Sequence, residues 1–449
     1  MLLCIKSKRK RDLKDWDIKL RVLELFRTIT SIPRCSGTYE PFVKFIQEFA
    51  KTYGYICEID NFHNILCYKN SSKPKLCLQS HYDIVCLEKN IIPSIIEDDG
   101  FLKAKNSTLG ADNGIGCAYM LALMEQNIEC EFLFTSDEEI GLIGANNIEL
   151  NLSSSYMLNL DSETQGEICI GCAGGVDIFG INTNSKYVEN KQNATLYELE
   201  TVDLAGGHSG VDIDKNIPNG IKLIFDAIKS CDGKLLDIQA GQRINAIPTK
   251  AKAIIVANSE PKSSQNLIVT KVETDTKHHI QLDDNIIEFI TNFQNGVLEY
   301  DKNLDVVLTS INLAIVENSS IDGVKISISA RSMINEELEK LKELTIKSLE
   351  KYNFTVSTDG KYPAWKPEQS AFTNDILNIY KKHIPNTNLK AIHAGLECAI
   401  FKDKYTNIQI CSIGPNIYFP HSNNEKCEIK SVKKVYDILV DIVKTIQPY

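Results

Sequence analysis

The sequence lacks three features that would each define a class of protein. None of its apolar runs approaches the roughly 18 uninterrupted apolar residues of a membrane-spanning helix. It has no excess of positive charge: its net charge is −10 at pH 7, the wrong sign for a general binder of nucleic acids or anionic membranes. It also lacks the bias of disordered or fibrous chains, since 43% of its residues are hydrophobic and 24% are charged. These absences predict a folded, soluble protein.

The first residues also lack the order of a secretory signal. The apolar stretch Met1 to Ile5 precedes the basic run Lys6 to Arg11, whereas a signal peptide begins with positive charge. The 14 cysteines do not form the framework of a small disulfide-rich domain, because they are scattered through apolar runs such as Lys75 to Leu78. We therefore expect a cytoplasmic protein with reduced, buried cysteines, including Cys169 and Cys172, which have no second CxxC pair.

The pattern of strands and helices divides the chain into three segments. A length of 449 residues suggests about three domain-sized units. Strands alternate with helices over about the first 170 residues, which favours an α/β sheet. Residues 176–359 have a different texture and are predicted to form a separate α+β module. Residues 360–449 return to the texture of the opening segment. We thus predict segments 1–175, 176–359 and 360–449, with the first and third alike.

Acids and histidines gather where the predicted strands end, which is where an α/β sheet usually carries its site. A His-x-Asp pair at one strand end is usually an ordinary hydrogen-bonded pair, and adjacent acids at a strand end are usually a solvated loop. Five such groups in one chain favour a metal site instead. The five groups are His81 to Asp83, Thr108 to Gly116, Thr135 to Gly141, Asn159 to Glu163 and Tyr418 to Asn423.

The residue types in these groups suit metal-assisted chemistry. Residues two apart in a strand share a face, so Asp83 can accept the ring N–H of His81 while the other ring nitrogen binds a metal. Asp112 precedes an apolar helix, whose dipole favours the charged carboxylate that a bridging ligand needs. The adjacent Glu138 and Glu139 can divide two roles, one as a metal ligand and the other as a general base.

In this order and spacing the motifs resemble those of the dinuclear zinc aminoacylase and dipeptidase superfamily, and in particular its cytosolic non-specific, or aminoacyl-histidine, dipeptidases. The resemblance implies a catalytic α/β domain with a mixed central sheet flanked by helices, plus an inserted α+β lid domain. It implies hydrolysis of dipeptides with a broad specificity that includes Xaa-His. The matching motifs are Ile32 to Gly37, His81 to Val85, Thr108 to Gly116, Ser136 to Gly141, Gly171 to Gly175, Gly206 to Gly210, His393 to Glu397 and Gly414 to Glu425.

The resemblance also implies a set of site residues. Two divalent metal ions are expected per chain, with Zn²⁺ first and Mn²⁺ or Co²⁺ as alternatives. Glu138 would be the general base, and Asp83 would orient His81. The implied ligands are His81, Asp112 and Asp161 for one ion, and Asp112, Glu139 and His421 for the other.

The middle segment would supply the lid residues. The resemblance makes His208 a donor to the tetrahedral oxyanion, and leaves open whether it serves its own subunit or that of a homodimer partner. Arg331 and Asn245 are candidates for gripping the substrate carboxylate, and Gly395 would let the substrate backbone pass close. The expected partner is a small peptide, not nucleic acid or membrane.

Other functions remain open at this stage. An N-acyl amino-acid deacylase or a tripeptidase of the same superfamily would use the same ligands. A metal-free scaffold relative would need losses among those ligands, and the sequence shows none. Substrate preference is the least determined property, because the segment between Val85 and Asp112 is shorter than in bacterial relatives and Asn106 stands where a glycine is usual.

Overall fold

The computed structural model describes residues 15–70, 74–88, 91–105, 107–189, 194–273, 278–302, 305–319 and 322–446. The basic run Lys6 to Arg11 and Asn106 lie outside these residues. The described residues form two compact units. Unit 1 is drawn from Met1–Ile170, Glu368–Lys390 and Leu396–Tyr449, and unit 2 from Gly171–Pro367 and Ala391–Gly395.

The secondary structure elements are numbered here in chain order. The helices are α1 (Asp15–Thr30), α2 (Glu40–Thr52), α3 (Ala111–Glu125), α4 (Ile143–Asn146), α5 (Gly220–Ser230), α6 (Asp284–Asn292), α7 (Asn335–Lys351), α8 (Ala371–His383), α9 (Glu397–Lys404) and α10 (Ile429–Ile446). The strands up to residue 201 are β1 (Ile56–Ile59), β2 (Ile65–Tyr68), β3 (Leu76–His81), β4 (Ser94–Asp98), β5 (Phe101–Lys105), β6 (Glu131–Thr135), β7 (Tyr156–Asn159), β8 (Glu167–Cys172), β9 (Gly174–Asn182), β10 (Ser185–Glu189) and β11 (Thr195–Thr201). The later strands are β12 (Gly207–His208), β13 (Lys234–Ala240), β14 (Ala246–Ile247), β15 (Ala251–Ala257), β16 (Leu267–Val272), β17 (His278–Leu282), β18 (Gly296–Asp301), β19 (Val306–Ser319), β20 (Gly323–Ser332), β21 (Thr355–Tyr362), β22 (Asn388–Ile392), β23 (Gln409–Ser412), β24 (Ile417–Tyr418) and β25 (Lys426–Glu428).

Unit 1 is built on a mixed eight-stranded sheet in the order β1-β2-β6-β3-β7-β23-β8-β22. Its central strands β6, β3, β7 and β23 run parallel, whereas β1, β2 and β8 pair antiparallel with their neighbours. Every residue of β3 and β6 is buried, as expected for parallel strands covered on both faces. Apolar side chains of α1, α3, α8 and α10 pack with the sheet in one core. The prediction of an α/β unit with a mixed central sheet is confirmed.

The parallel strands of unit 1 bring the predicted site to one edge of the sheet. Strands β3, β6 and β7 end at His81, Thr135 and Asn159, and they run in the same direction. Parallel strands present their carboxyl ends together, so the loops that follow them share an edge. This topology is why side chains far apart in sequence can meet.

Unit 2 is built on an antiparallel sheet in the order β16-β11-β15-β13-β19-β20-β9-β21, with β18 paired to β19. Strand β15 alternates buried and more exposed residues, which is typical of a sheet with one face on a core, whereas β19 and β20 are buried over most of their length. Helices α5, α6 and α7 supply the other side of that core. The predicted α+β module is confirmed. In the described part of the chain, no helix combines the length and apolarity needed to cross a lipid bilayer.

The prediction that the cysteines are reduced is wrong for one pair. Cys35 and Cys86 form a disulfide that links positions 51 residues apart. The backbone brings them together, because Cys35 forms an isolated parallel bridge with Ile84 and the N–H of Ile84 donates to the carbonyl of Arg34. The other described cysteines are not in disulfides, and Cys169 and Cys172 are buried as predicted.

Candidate metal centre

Asp112 is the residue on which the site of unit 1 converges. Its Oδ1 lies 3.2 Å from Nε2 of His81, and its Oδ2 lies 3.0 Å from Nε2 of His421. Each oxygen of one carboxylate therefore faces a different histidine. The histidines come from the end of β3 and from the loop between β24 and β25. An aspartate placed in this way can bridge two cations.

Two clusters of three side chains share this aspartate. In each cluster the potential ligand atoms lie within 4.8 Å of one another. Asp161 completes the first cluster, with Oδ1 3.3 Å from Nε2 of His81, and Glu139 completes the second, with Oε2 2.9 Å from Nε2 of His421. The clusters are His81, Asp112 and Asp161, and Asp112, Glu139 and His421. The structure thus brings together all five side chains predicted as ligands.

Glu138 lies beside these clusters and belongs to a third group of potential ligands. Its Oε2 is 4.0 Å from Nε2 of His81, and a third grouping that could hold a cation consists of His81, Glu138 and Glu139. The turn that presents both glutamates begins at Asp137, which has a positive φ of 50°. The carboxylate of Asp137 accepts the backbone N–H of Gly37 at 2.7 Å and the hydroxyl of Tyr39. These bonds hold the turn after β6.

Asp83 links the loop after β3 to the turn after β6. Its carboxylate accepts the backbone N–H groups of Glu138 at 3.0 Å and Glu139 at 3.3 Å, and the hydroxyl of Ser36 at 2.8 Å. Nδ1 of His81 lies 3.1 Å from the backbone carbonyl of Asp83 and 3.6 Å from its carboxylate. Asp83 therefore meets His81 mainly through its carbonyl, and its carboxylate chiefly holds the glutamate turn.

The clustered charges shift the protonation of the site. Burial raises the pKa of Asp112, but hydrogen bonds from His421 and His81 outweigh it and hold that pKa well below its usual range. Burial lowers the pKa of His421, but its hydrogen bonds to Asp112 and Glu139 raise it to about 11. Burial, followed by the charge of Asp112, raises the pKa of Glu139 to about 7. Closely packed acids of this kind are stabilised by a cation placed among them.

The residues present fit a pair of divalent cations. Oε1 of Glu139 is buried and has no hydrogen-bond partner among the described residues. A buried polar atom without a partner is costly unless something else satisfies it, and a metal ion at this position would do so. The donor set combines imidazole nitrogens with carboxylate oxygens, which suits zinc, manganese or cobalt.

The predicted lid residues lie in unit 2, and two of them are neighbours. His208 ends β12, which pairs with β14, and Asn245 immediately precedes β14. Nδ1 of His208 accepts the backbone N–H groups of Gly210 and Val211, each at 3.2 Å. A neutral imidazole whose Nδ1 accepts carries its proton on Nε2. His208 is therefore a hydrogen-bond donor through Nε2, while the backbone carbonyl of Asn245 accepts the N–H of Ser209.

Arg331 and Gly395 both lie against Tyr362. The side chain of Arg331 is almost fully buried in β20 and donates to the hydroxyl of Tyr362 at 2.6 Å. A Cβ atom on Gly395 would lie 2.7 Å from the ring of Tyr362. Space for the Tyr362 ring is therefore sufficient reason for glycine at 395. No contact of Arg331 with Asn245 is present among the described residues.

Two further acids of unit 1, Glu163 and Glu397, interact electrostatically with residues of the clusters. Burial, followed by the charges of Asp112 and Asp161, raises the pKa of Glu163 to about 8. Burial also raises the pKa of Glu397 to about 8, although its Oε2 accepts hydrogen bonds from Gln79 and Thr135. Glu397 is fully buried, which nothing in its local sequence indicates.

Two further side chains hold the turn before Asp112. Arg34 is fully buried and donates to the carbonyls of Tyr82 at 2.8 Å and Gly110 at 2.7 Å. Glu425 accepts backbone N–H groups from the other side of the same turn. A lone arginine after a proline and a lone glutamate in a loop carry no local signal of such contacts. They could have been found only from the folded arrangement.

In unit 1, the loops that follow the parallel strands contribute to two clusters of potential metal ligands, and the clusters share one aspartate. This is the architecture of a metal-dependent hydrolase. The chain belongs to peptidase family M20/M25/M40, whose family model matches residues 77–445. The prediction of a hydrolase acting on peptide bonds is confirmed.

Individual relatives agree with this membership. The chain is 31% identical over 474 aligned positions to the cytosol non-specific dipeptidase of Escherichia coli (strain K12), covering 94% of this chain and 97% of that protein. It is similar in structure to the aminoacylhistidine dipeptidase of Vibrio alginolyticus, with a TM-score of 0.77, 28% identity and coverage of 95% and 96% of the two chains. A Staphylococcus aureus tripeptidase shares the fold, with a TM-score of 0.57, 17% identity and coverage of 95% and 98%.

Proposed function

We propose that this chain is a dinuclear metal-dependent dipeptidase of broad specificity that accepts Xaa-His dipeptides. The observation that carries the proposal is the position of Asp112, whose two carboxylate oxygens face the histidines of two separate clusters. The relatives with the highest identities reported above, from E. coli and V. alginolyticus, are both named as dipeptidases and are matched over nearly their whole length.

The proposal assigns each ion its own ligands. His81 and Asp161 would hold one ion, Glu139 and His421 the other, and Asp112 both. We propose Zn²⁺ as the metal, with Mn²⁺ or Co²⁺ able to replace it. When bound, the two ions supply Lewis-acid chemistry, acidifying a water molecule and polarising the peptide carbonyl.

Glu138 is the proposed general base. It takes the proton of the attacking water and returns it to the leaving amine. Two features support this role: its carboxylate stands next to the ligand Glu139, and its backbone N–H is held by Asp83 at 3.0 Å. With its side chain 17% exposed against 3% for Glu139, Glu138 is the more accessible of the two glutamates.

Unit 2 is the proposed lid, and segments 1–175 and 360–449 are the proposed catalytic domain. His208 would donate from Nε2 to the oxyanion that forms on the substrate carbonyl. Arg331 would bind the substrate carboxylate through its guanidinium, and Asn245 and Gly395 would complete the substrate-binding residues. A homodimer is the proposed assembly. In it, His208 would act either in the site of its own subunit or in that of the partner subunit.

A cytoplasmic location is also part of the proposal. It rests on the E. coli relative, which is named for the cytosol. The Cys35–Cys86 disulfide is unusual for this location, because thiols are kept reduced in the cytosol of most organisms.

A substrate panel tests the proposed function. The purified chain should cleave dipeptides with a free amino terminus, and should cleave N-acetyl amino acids and tripeptides far more slowly. A chelator should abolish the cleavage, and added Zn²⁺ or Mn²⁺ should restore it. A preference for N-acetyl amino acids or for tripeptides would reassign the substrate, and cleavage that is insensitive to chelator would contradict the metal mechanism. Inactivity in every arm, with metal restored, would indicate a scaffold protein.

A further inference from the structure

We propose that Glu425 is a positioning residue that fixes the bridging aspartate by holding the backbone of the turn before it; this rests on the proposed role of Asp112. One oxygen of the Glu425 carboxylate accepts the N–H groups of Leu109 at 2.7 Å and Gly110 at 3.0 Å. The other accepts the N–H groups of Ala111 at 2.8 Å and Asp112 at 3.4 Å. A single side chain thus accepts from four consecutive residues.

The turn needs such an acceptor because α3 does not begin as a regular helix. Gly110, the N-cap residue, has a positive φ of 67° and no side chain of its own with which to cap the helix. Asp112 has φ −80° and ψ 109°, outside the helical region. The first N–H groups of any helix have no partner within the helix. Because α3 starts irregularly, its first N–H groups depend even more on an acceptor from outside the helix. Leu109 and Ala111 are fully buried, so water is not a ready substitute.

Glu425 is itself suited to the task. It is 2% exposed, and two charged oxygens can accept several N–H groups at once. Hydrogen bonds to a charged group are stronger than those between neutral groups, and leaving a buried donor unsatisfied is more costly than losing an average bond. The turn is held from its other side as well, since the guanidinium of Arg34 donates to the carbonyl of Gly110. The carboxylate of Glu425 therefore binds the N–H groups of the turn, and the guanidinium of Arg34 binds one of its carbonyls.

The consequence for the site follows from where the turn leads. Asp112 is the last of the four residues that Glu425 holds, and its two carboxylate oxygens must face His81 and His421 together. His421 lies only four residues before Glu425, so the same loop supplies one proposed ligand and anchors the bridge. A displacement of about 1 Å in such a centre is enough to impair it. Glu425 acts through the backbone and touches no reacting atom.

The test is the substitution Glu425→Gln. The amide keeps the size of the side chain but has one accepting oxygen, and its NH₂ group would face N–H donors. We expect metal affinity, measured by competition with a chromophoric chelator, to fall about 10-fold to 100-fold, as for other residues that orient ligands. We also expect kcat to fall with little change in KM. Glu425→Asp, which keeps both charged oxygens on a shorter stem, should show a smaller loss and serves if Glu425→Gln does not fold.

Glu131→Gln is the matched control. Glu131 is also a buried glutamate of unit 1, 3% exposed, and accepts the backbone N–H groups of Ser153 at 2.8 Å and Ser154 at 3.0 Å. It belongs to no proposed metal or substrate contact. Its substitution should lower thermal stability as the Glu425 substitution does, but leave metal affinity of the folded protein unchanged. The comparison separates positioning of the centre from loss of a buried hydrogen-bonded acid.

Amide hydrogen exchange gives a readout that is independent of metal and substrate. The amides of residues 109–112 should be protected in the metal-free wild type and lose protection in Glu425→Gln but not in Glu131→Gln. Unchanged protection together with wild-type metal affinity in both Glu425 variants would overturn the proposal. A chain that passes these tests but cleaves no dipeptide would contradict the proposed function alone, because neither measurement involves a substrate.

Discussion

The carboxylate of Asp83 accepts a hydrogen bond from the backbone N–H of Glu138 across 3.0 Å. Asp83 is buried, and the bond ties the loop after β3 to the turn after β6. The position of Glu138 is therefore set through its backbone, and its carboxylate takes no part in this bond. This arrangement suits a residue that takes a proton in one step and returns it in another.

Glu138→Gln should abolish most turnover while leaving the metals bound. The amide cannot take a proton from water, so kcat should fall by about 10²-fold to 10⁴-fold, the range for loss of a general base. Elemental analysis of the same preparation should still find two ions per chain. In the companion variant Glu139→Gln, the second ion should be lost because Glu139 is its proposed ligand. Loss of both ions from Glu138→Gln would show that the base was misassigned.

His208→Ala should reduce kcat by about 10²-fold to 10³-fold, as removal of an oxyanion donor does, with a smaller change in KM. The physical reason is the proton on Nε2, which His208 carries there because Nδ1 accepts the N–H groups of Gly210 and Val211. Steady-state kinetics on one dipeptide measures both constants. His383→Ala is the control, because His383 pairs with Asp441 and belongs to no proposed site. Equal kcat in wild type and His208→Ala would remove the oxyanion role.

His393 should make unit 2 sensitive to acid. Burial, followed by the positive charge of Arg331, lowers the pKa of His393 to about 3. An unfolded histidine takes up a proton below about pH 6.5, whereas buried His393 does not until about pH 3. The unfolded state therefore binds more protons in this window, and stability is lost as the pH falls from about 6.5 toward 3.

The variant His393→Gln tests this prediction, because an amide can still bond the hydroxyl of Ser310 but does not titrate. Urea unfolding midpoints of wild type and variant should be compared at pH 7.5 and pH 5. The wild type should lose more between these values than the variant does. A variant that loses as much as the wild type would show that His393 does not account for the acid sensitivity.

The Cys35–Cys86 disulfide should stabilise the oxidised chain. Its cysteines are 51 residues apart, and closing a loop of that length stabilises the folded state by about 4 kcal/mol in the chain-entropy model. Dithiothreitol should therefore lower the urea unfolding midpoint of the wild type but not that of Cys35→Ser. Alkylation without reductant, followed by mass spectrometry, should leave both cysteines unmodified. Alkylation of all 14 cysteines in the unreduced protein would contradict the disulfide.

The site of unit 1 was largely predictable because its signals are local. Each proposed ligand stands at the end of a strand, in the loop that follows one, or at the start of a helix, and the alternation of strands and helices indicates that strand ends share an edge. The family resemblance, and not this pattern, groups His81, Asp112 and Asp161 around one ion. Apolar residues at helical spacing likewise predict helices at Trp16 to Thr30, Tyr39 to Thr52 and Asp112 to Glu125, which lie within one residue of the ends of α1, α2 and α3.

Other features could not be predicted because they depend on contacts between distant segments. Glu425 meets Asp112 across 313 residues, and no local pattern marks a glutamate as the acceptor for a remote turn. The Cys35–Cys86 pairing follows from a backbone bridge and not from cysteine spacing. Gly395 was interpreted through the substrate, whereas the ring of Tyr362 already explains it. Side-chain partners of this kind are set by tertiary packing.

Anomalous X-ray scattering from crystals of the zinc-loaded protein tests the central claim most directly. The account predicts two peaks at the zinc edge on either side of Asp112, one against His81 and Asp161 and the other against Glu139 and His421. One peak alone, or two peaks of which neither is bound by Asp112, would contradict it.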